Sequence, residues 1–235
     1  MKLQKNLSRL AILVWAPILL AVFVLVPIAA AAPAMPMTDE EIHHYREVTG
    51  TTSEEVCWHL TRGDTLILTY TSPTERHVTT TGSGYRTIRW QVTDTADGTD
   101  FVAERSEDTI VIKGRFKGEP IHQRLDIDDA PWYQATSLSL RGLIASNDSH
   151  RVFWTIRPDT LTPHKIKAVK KEIETVASEE NQKKLQHIRL RTTGMLAPFW
   201  KSDYWFTLPR GIFQRFEGPS GPPGSPMTVV TRLDR

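Results

Sequence analysis

The side chains that could carry chemistry are spread along the chain without a recognisable catalytic or metal-binding motif. Six histidines lie beyond the adjacent pair at positions 43–44, and none has the His-Glu-x-x-His spacing of a zinc site: His59, His77, His122, His150, His164 and His187. No Gly-x-Ser-x-Gly nucleophile elbow is present. Catalytic groups of a β-protein can converge from distant strands, so a hydrolase stays open as an alternative. The sequence nevertheless favours a protein that is not an enzyme, with no catalytic residue, metal ligand or cofactor predicted.

Three other polar features also favour structural roles. Cys57 is the only cysteine, so no internal disulfide can form, and in a strand it is expected to pack as a small hydrophobe. Gly82-Ser83-Gly84 lacks the Lys-Ser/Thr pair and the following helix of a phosphate loop. The acidic run at 126–129 lacks the glycine and distal glutamate of a calcium loop.

Aromatic residues are the more informative side chains, and they are densest between Phe199 and Gly224. Ligand pockets are concave and mostly apolar, with a few polar groups. Four aromatic residues are therefore the candidates for lining a site that holds a lipid or another apolar small molecule: Trp154, Trp200, Tyr204 and Trp205. The alternative is that these rings fill the core, because each aromatic side chain buries about 150–250 Å².

The same stretch predicts a β-hairpin. Trp205 to Leu208 forms one run, Pro209-Arg210-Gly211 forms the turn, and Ile212 to Glu217 forms the second run. Simple alternation places Ile212, Gln214 and Phe216 on one face, and it places Phe213, Arg215 and Glu217 on the other.

The first 34 residues have the layout of a secretory signal peptide. Three positive charges precede the uncharged run Leu10–Ala32, and Ala32-Pro33-Ala34 fits cleavage after Ala34. The alternative is an uncleaved membrane anchor, since about 20 apolar residues span a bilayer. Both predict export, with the periplasm as the expected location. Membrane attachment is expected only through this segment, and only if it is retained.

Charge is unevenly distributed along the exported part. Its formal charge is −1, because the leader holds three positive charges of a chain whose total is +2. This balance argues against a nucleic-acid partner. Residues 33–149 hold 11 Lys/Arg against 19 Asp/Glu, and residues 150–235 hold 15 against 8. The asymmetry predicts two mutually attracting halves of one sheet, or a basic face near an anionic surface or partner.

Turn signals at roughly ten-residue spacing predict one β-rich domain over residues 56–235, behind a helical or linker lead-in at 35–55. Tyr85–Thr93 and Ser137–Ala145 both alternate like strands. Lys165–Val176 fits two structures: its apolar residues follow a helical stripe, and they also fit a bulged strand. The fold class is therefore all-β and mostly antiparallel, a curved half-barrel or a sandwich, with a short N-terminal helical segment.

Residues 150–235 carry a resemblance to a known group of proteins. The matching segments are Phe153-Trp154, Arg157-Pro158-Asp159, Leu161, Pro163–Lys167, Tyr204-Trp205-Phe206, Phe216-Glu217-Gly218 and Gly221-Pro222-Pro223-Gly224. They resemble exported bacterial β-proteins of unknown function, similar to periplasmic half-barrel carriers of lipoproteins and lipids. The resemblance implies a curved antiparallel sheet around a hydrophobic hollow, with Lys165–Val176 as a strand.

These observations favour an exported cell-envelope protein that holds a lipid or other apolar ligand on a curved sheet. The alternative is an envelope assembly protein that contacts a partner protein through its basic C-terminal half and the loop Gly218–Pro226. The sequence leaves the ligand, the partner and the oligomeric state open.

Overall fold

The protein is built on one antiparallel sheet of 14 strands. The computed structural model describes residues 39–177, 182–193, 200–221 and 224–234. The predicted leader, residues 1–34, lies outside the described residues. The strands are β1 Asp39–Thr49, β2 Thr52–Arg62, β3 Leu66–Thr71, β4 Glu75–Thr81, β5 Thr87–Asp94, β6 Thr99–Ser106, β7 Thr109–Phe116, β8 Glu119–Asp126, β9 His150–Ile156, β10 Pro163–Ala177, β11 Gln182–Thr192, β12 Lys201–Thr207, β13 Phe213–Pro219 and β14 Met227–Leu233; the helices are α1 Thr136–Ser139 and α2 Arg141–Ala145.

Almost every strand pairs with its neighbours in the chain. The order across the sheet is β8 to β1, then β14 to β9, so the first and last strands meet at its centre. The sheet is open, with β8 and β9 at its edges. The acidic half of the sequence forms β1–β8 and the basic half forms β9–β14. The all-β, antiparallel prediction is confirmed.

The helical or linker lead-in predicted for residues 35–55 is wrong over its described part. Asp39–Thr49 and Thr52–Arg62 are long strands that pair with each other along their full length. Tyr45 is buried while Ile42 is 57% exposed, so these two residues, whose spacing of three would put them on one face of a helix, lie on opposite faces of β1. β1 also pairs with β14 along its other edge, and the hydrogen bonds to its two neighbouring strands favour a strand over a helix. Among the described residues, no helix is long and apolar enough to cross a membrane.

The segment between the two edge strands fills the concave side of the sheet. Residues 137–145 form α1 and α2, so the strand predicted there is wrong. Leu138, Leu140 and Leu143 are all buried, each packed against side chains of the sheet. Because this segment is covered by the sheet and has no strand beside it, helical turns satisfy its backbone hydrogen bonds locally. We call residues 127–145 the plug.

The ambiguous segment around Lys165–Val176 is strand β10, as the resemblance implies. Its register with β11 shifts between Lys170 and Ile173, which is the bulge that the strand interpretation required. Gln186, buried on β11, supports this bulge because its side-chain amide donates to the Lys171 carbonyl at 2.7 Å.

The predicted β12–β13 hairpin is confirmed, but the predicted faces of β13 are not. The register shifts between Trp205 and Phe206, which pair with Arg215 and Phe213. As a result Phe213 and Phe216 both pack against the main core cluster, although alternation put them on opposite faces.

Candidate functional site

A cavity of about 330 Å³ lies on the concave side, between the sheet and the plug. Strands from both halves of the sheet supply its walls, and the plug contributes residues 134–137. Large apolar and aromatic side chains dominate the lining, among them Trp58, Leu68, Tyr70, Trp90, Tyr204 and Phe213. Ligand pockets span about 300–1,000 Å³, so this cavity is large enough for part of an apolar molecule.

A second cavity of about 310 Å³ adjoins the first. The two share four lining residues, which are Thr155, Pro158, Ile166 and Trp200. The second cavity continues towards the loop after β13, where Pro219, Ser220 and Gly221 form part of its wall. The shared residues place the two cavities side by side, and we call the pair the passage.

The wall of the first cavity is held by ring packing. Trp58 and Phe213 stack at 5.0 Å with an angle of 7° between their planes. Tyr45 packs against both rings, at 4.6 Å from Trp58 and 5.3 Å from Phe213. Such offset aromatic contacts add about 0.5–1.5 kcal/mol per pair beyond area burial. These ring contacts fix the shape of this part of the cavity wall.

Several polar groups that the plug contributes to this wall are hydrogen-bonded within the protein. The Thr136 hydroxyl donates to the Tyr204 hydroxyl at 2.9 Å, and burial raises the pKa of Tyr204 to about 12. Gln134 accepts from Trp132 Nε1 at 3.0 Å and donates to the Ile156 carbonyl at 2.8 Å. These groups stay neutral at physiological pH, so the inner cavity suits an uncharged, apolar occupant.

The second cavity differs because charged groups stand at its wall. Arg157 donates to Asp159 through Nε at 2.9 Å. Burial raises the pKa of Asp159, but hydrogen bonding and attraction from Arg157 outweigh it and lower the value overall. Burial and the Arg157 charge lower the pKa of His164. The passage thus runs from an apolar interior to a wall with a cation, an anion and a neutral imidazole.

The four residues chosen from the sequence occupy different places. Trp200 and Tyr204 line the first cavity, and Trp200 also lines the second. Trp154 lies outside both walls, where its Nε1 donates to Asp128 at 2.7 Å and Lys165 Nζ lies 5.5 Å from its ring centroid. Trp205 lies on the outer face, stacked on His187. The structure therefore brings two of the four together at the cavity.

Sequence reasoning missed the contribution of the N-terminal half. Trp58 and Tyr70 belong to β2 and β3, far from the aromatic-rich C-terminal stretch, and both line the first cavity. The available signal was alternation, since Val56, Trp58 and Leu60 share one face of β2 and Leu68 and Tyr70 share one face of β3.

Comparisons with known proteins identify the fold. No family model and no curated protein matches the sequence. A β-barrel-like protein of a domain of unknown function (DUF1849) from Brucella abortus is similar in structure, with a TM-score of 0.58, 8% identity, and coverage of 84% of this chain and 99% of that one. The hypothetical lipoprotein YmcC from Escherichia coli gives a TM-score of 0.40 at 9% identity, covering 83% of this chain and 86% of its own.

The Brucella abortus structure shows the fold that this chain adopts. The predicted resemblance to bacterial β-sheet proteins of unknown function is confirmed at the level of the fold. At 8% identity the likeness extends to the architecture alone.

Proposed function

We propose that this protein is an exported cell-envelope protein that binds a lipid-like amphiphile without transforming it. The apolar tail lies in the two adjoining cavities, and the polar end lies beside Arg157, Asp159 and His164. The observation that carries the proposal is that the two cavities adjoin at four shared lining residues, while Arg157 and Asp159 line only the second. The signal-peptide layout of residues 1–34 supports export.

Tail length is expected to control affinity. Burying a methylene contributes about 0.8 kcal/mol, so each added methylene tightens binding about fourfold as long as it fits. The gain stops once the passage is full, because a longer tail leaves its end in water. A binding site on a flat apolar surface has no such limit, so the shape of this series distinguishes a bounded cavity from general surface adsorption.

The test fills the passage at the position where the cavities meet. Thr155 lines both of them, and Thr155→Phe places a ring there. Thr175→Phe is the matched control, because Thr175 is an exposed strand residue outside both walls. The full-length chain is titrated with a fluorescently labelled long-chain fatty acid, and native mass spectrometry is recorded on protein purified from its own envelope.

The expected result is saturable binding to wild type and to Thr175→Phe, with at least a tenfold loss in Thr155→Phe while its circular dichroism is unchanged. A lipid-range mass adduct on wild type supports the same conclusion. Equal binding by Thr155→Phe and wild type places the ligand elsewhere. Absence of saturable binding by wild type refutes the proposal.

A second candidate function, assembly with a partner protein, is favoured by one feature of the sheet. Strand β8 is an edge: within the described chain, β7 is the only strand that pairs with it. The other edge, β9, is covered where Trp154 exchanges backbone hydrogen bonds with the plug at Pro131 and Tyr133. An uncovered edge can accept an added strand from a partner. Cross-linking from β8 to a second protein, with no lipid adduct, favours this function.

A further inference from the structure

The outer face of β10–β12 holds a cluster of ionisable side chains that the proposed cavity does not use. Its centre is His187 on β11, whose side chain is only 6% exposed. The next residue along the strand, Ile188, is buried in the main core. Since neighbouring strand residues point to opposite faces, the cluster and the cavities lie on opposite sides of the sheet.

One nitrogen of His187 is engaged and the other is not. Nε2 lies 2.6 Å from Asp203 Oδ1, and because an ionised carboxylate only accepts, Nε2 carries the proton and donates. In the neutral ring, Nδ1 is then the nitrogen with the free lone pair. This buried atom makes no hydrogen bond, and it lies 3.8 Å from Glu172 Oε1 and 3.8 Å from Glu174 Oε1.

We propose that His187 Nδ1 and the carboxylates of Glu172 and Glu174 form a binding site for a divalent transition-metal ion, with Zn²⁺ as the reference ion. The three donor atoms lie within 4.8 Å of one another. Zinc binds imidazole nitrogen and carboxylate oxygen at about 2.0–2.2 Å, which places neighbouring tetrahedral ligands about 3.4 Å apart. The two observed distances from Nδ1 to the glutamate oxygens are 3.8 Å, and small movements of the glutamates shorten them to this value. Glu172 is 73% exposed and has room for that movement.

The groups around the three ligands hold them in place. Asp203 fixes the orientation of the His187 ring, and Arg189 Nε in turn donates to Asp203 at 2.8 Å. Asp203 Oδ1 accepts both of these hydrogen bonds, from His187 Nε2 and from Arg189 Nε. Metal-bound histidines almost always donate their second N–H to such a group.

Trp205 supports the site from the other side. Its ring stacks on His187 at 4.9 Å with an 8° angle, and its Nε1 donates to Glu174 at 2.9 Å. Ligating carboxylates in metal sites are commonly hydrogen-bonded in this way. The residue chosen from the sequence as a lipid contact therefore becomes a positioning residue for the metal ligands.

The β10 bulge creates the arrangement. The register shift between Lys170 and Ile173 inserts one extra residue opposite β11, which brings Glu172 as well as Glu174 to His187. Among the described residues, Glu172, Glu174 and His187 are the three side chains of metal-binding type whose donor atoms converge. Two cations lie near the site. Arg189 pairs with Asp203, and the positive charge of Lys171 attracts the Glu172 carboxylate. The two glutamates supply the negative charge that a divalent cation needs.

The experiment titrates the full-length chain, carrying no histidine tag, with Zn²⁺ in competition with a fluorescent zinc chelator. The expected result is one saturable site per chain. Glu172→Gln and Glu174→Gln each weaken binding at least tenfold, and Asp203→Asn weakens it about 10–100-fold through loss of ligand orientation. Glu40→Gln is the matched control, because Glu40 forms a single pair with His59 at 3.2 Å on another part of the sheet. This variant keeps wild-type affinity.

Two further readouts separate metal binding from a general change in the fold. Zn²⁺ raises the unfolding midpoint of wild type and of Glu40→Gln, but not that of the Glu172→Gln/Glu174→Gln double variant. Bound Cu²⁺ quenches tryptophan emission through the adjacent Trp205, and Trp205→Phe removes most of this quenching. No saturable Zn²⁺ site in wild type, or a site that keeps its affinity in the double variant, overturns the proposal.

Discussion

Arg141 and Glu41 form a buried ion pair that ties the plug to the centre of the sheet. Arg141 lies on α2 and Glu41 on β1, and their side chains are 9% and 8% exposed. The guanidinium donates through Nη2 at 3.0 Å and Nη1 at 3.4 Å to the two carboxylate oxygens. His43, at 3.3 Å, and Arg62 also bond this carboxylate. We predict that Arg141→Met destabilises the protein strongly although it retains most of the side-chain bulk.

The expected loss of stability comes from the Glu41 carboxylate, which stays buried without its Arg141 partner. Removing one partner of a buried ion pair costs about 3–5 kcal/mol, because the remaining charge is left uncompensated. Arg62 and His43 still bond Glu41, and Arg210 Nη2 lies 3.6 Å from its Oε1, so the charge stays partly compensated and the expected cost of Arg141→Met is at the lower end, about 3 kcal/mol. Neutralising the carboxylate as well, in the Glu41→Gln/Arg141→Met double variant, removes the charge that has lost its buried partner. The double variant is therefore expected to be more stable than Arg141→Met alone.

Urea unfolding at neutral pH, followed by tryptophan fluorescence, measures these differences. A cost of Arg141→Met below about 1 kcal/mol, the value typical of exposed ion pairs, contradicts the reasoning. So does a double variant that is less stable than Arg141→Met.

The Glu41–Arg141 pair also predicts how the stability of the fold depends on pH. The hydrogen bond from His43 lowers the pKa of Glu41 against the opposing effect of burial, and Arg141 and Arg62 lower it further, so it lies well below its usual 4.5. A carboxyl whose pKa is depressed in the folded state stabilises the fold fully above its unfolded pKa. This contribution is lost as the pH falls below 4.5 towards the folded pKa. Arg141→Met is expected to flatten that loss, measured as unfolding midpoints across the acidic range.

Three other variants test the packing and the buried hydroxyl. Gly114→Ala is expected to cost about 3 kcal/mol in urea unfolding. Gly114 has a φ of +137°, and an added Cβ would lie 2.3 Å from the Asp100 carbonyl oxygen. Gly84→Ala is the control, because its Cβ meets nothing within 4 Å. Phe206→Ala, on the fully buried inner face, is expected to cost about 3–5 kcal/mol in the same assay, more than Trp205→Ala on the outer face. The raised pKa of Tyr204, about 12, makes folding stability fall between pH 10 and 12, and Tyr204→Phe reduces that fall.

The all-β class could be predicted from the sequence because it depends on local signals. Tyr85–Thr93 alternates clearly, and the structure has β5 at Thr87–Asp94. Turn residues at short intervals set the strand lengths, so most strands were recognisable one by one. The order of strands was not, because the pairing of β1 with β14 joins residues nearly 190 positions apart, such as His44 and Leu233.

The plug could not be predicted because its pattern fits two structures. In Ser137–Ala145, Leu138 and Leu140 alternate with polar residues as they would in a strand. The fold encloses this segment on the concave side, where Leu143 and Arg141 are buried as well. Ser137 to Arg141 are all buried, so these five residues present no polar face, and alternation there contains no information about secondary structure.

Bulges decide which chemistry appears on which side of the sheet. Because side chains alternate with a period of two, one inserted residue exchanges the faces of all residues beyond it. The shift at Trp205/Phe206 sends Phe213 inward with Phe216, and the shift at Lys170/Ile173 brings Glu172 to His187. Neither bulge contains a glycine or proline that would reveal it in the sequence, since each depends on pairing with a neighbouring strand. Counting aromatic residues thus identified Tyr204 and Trp205 as equals, although one faces an apolar cavity and the other supports a cluster of carboxylates and histidine on the opposite face.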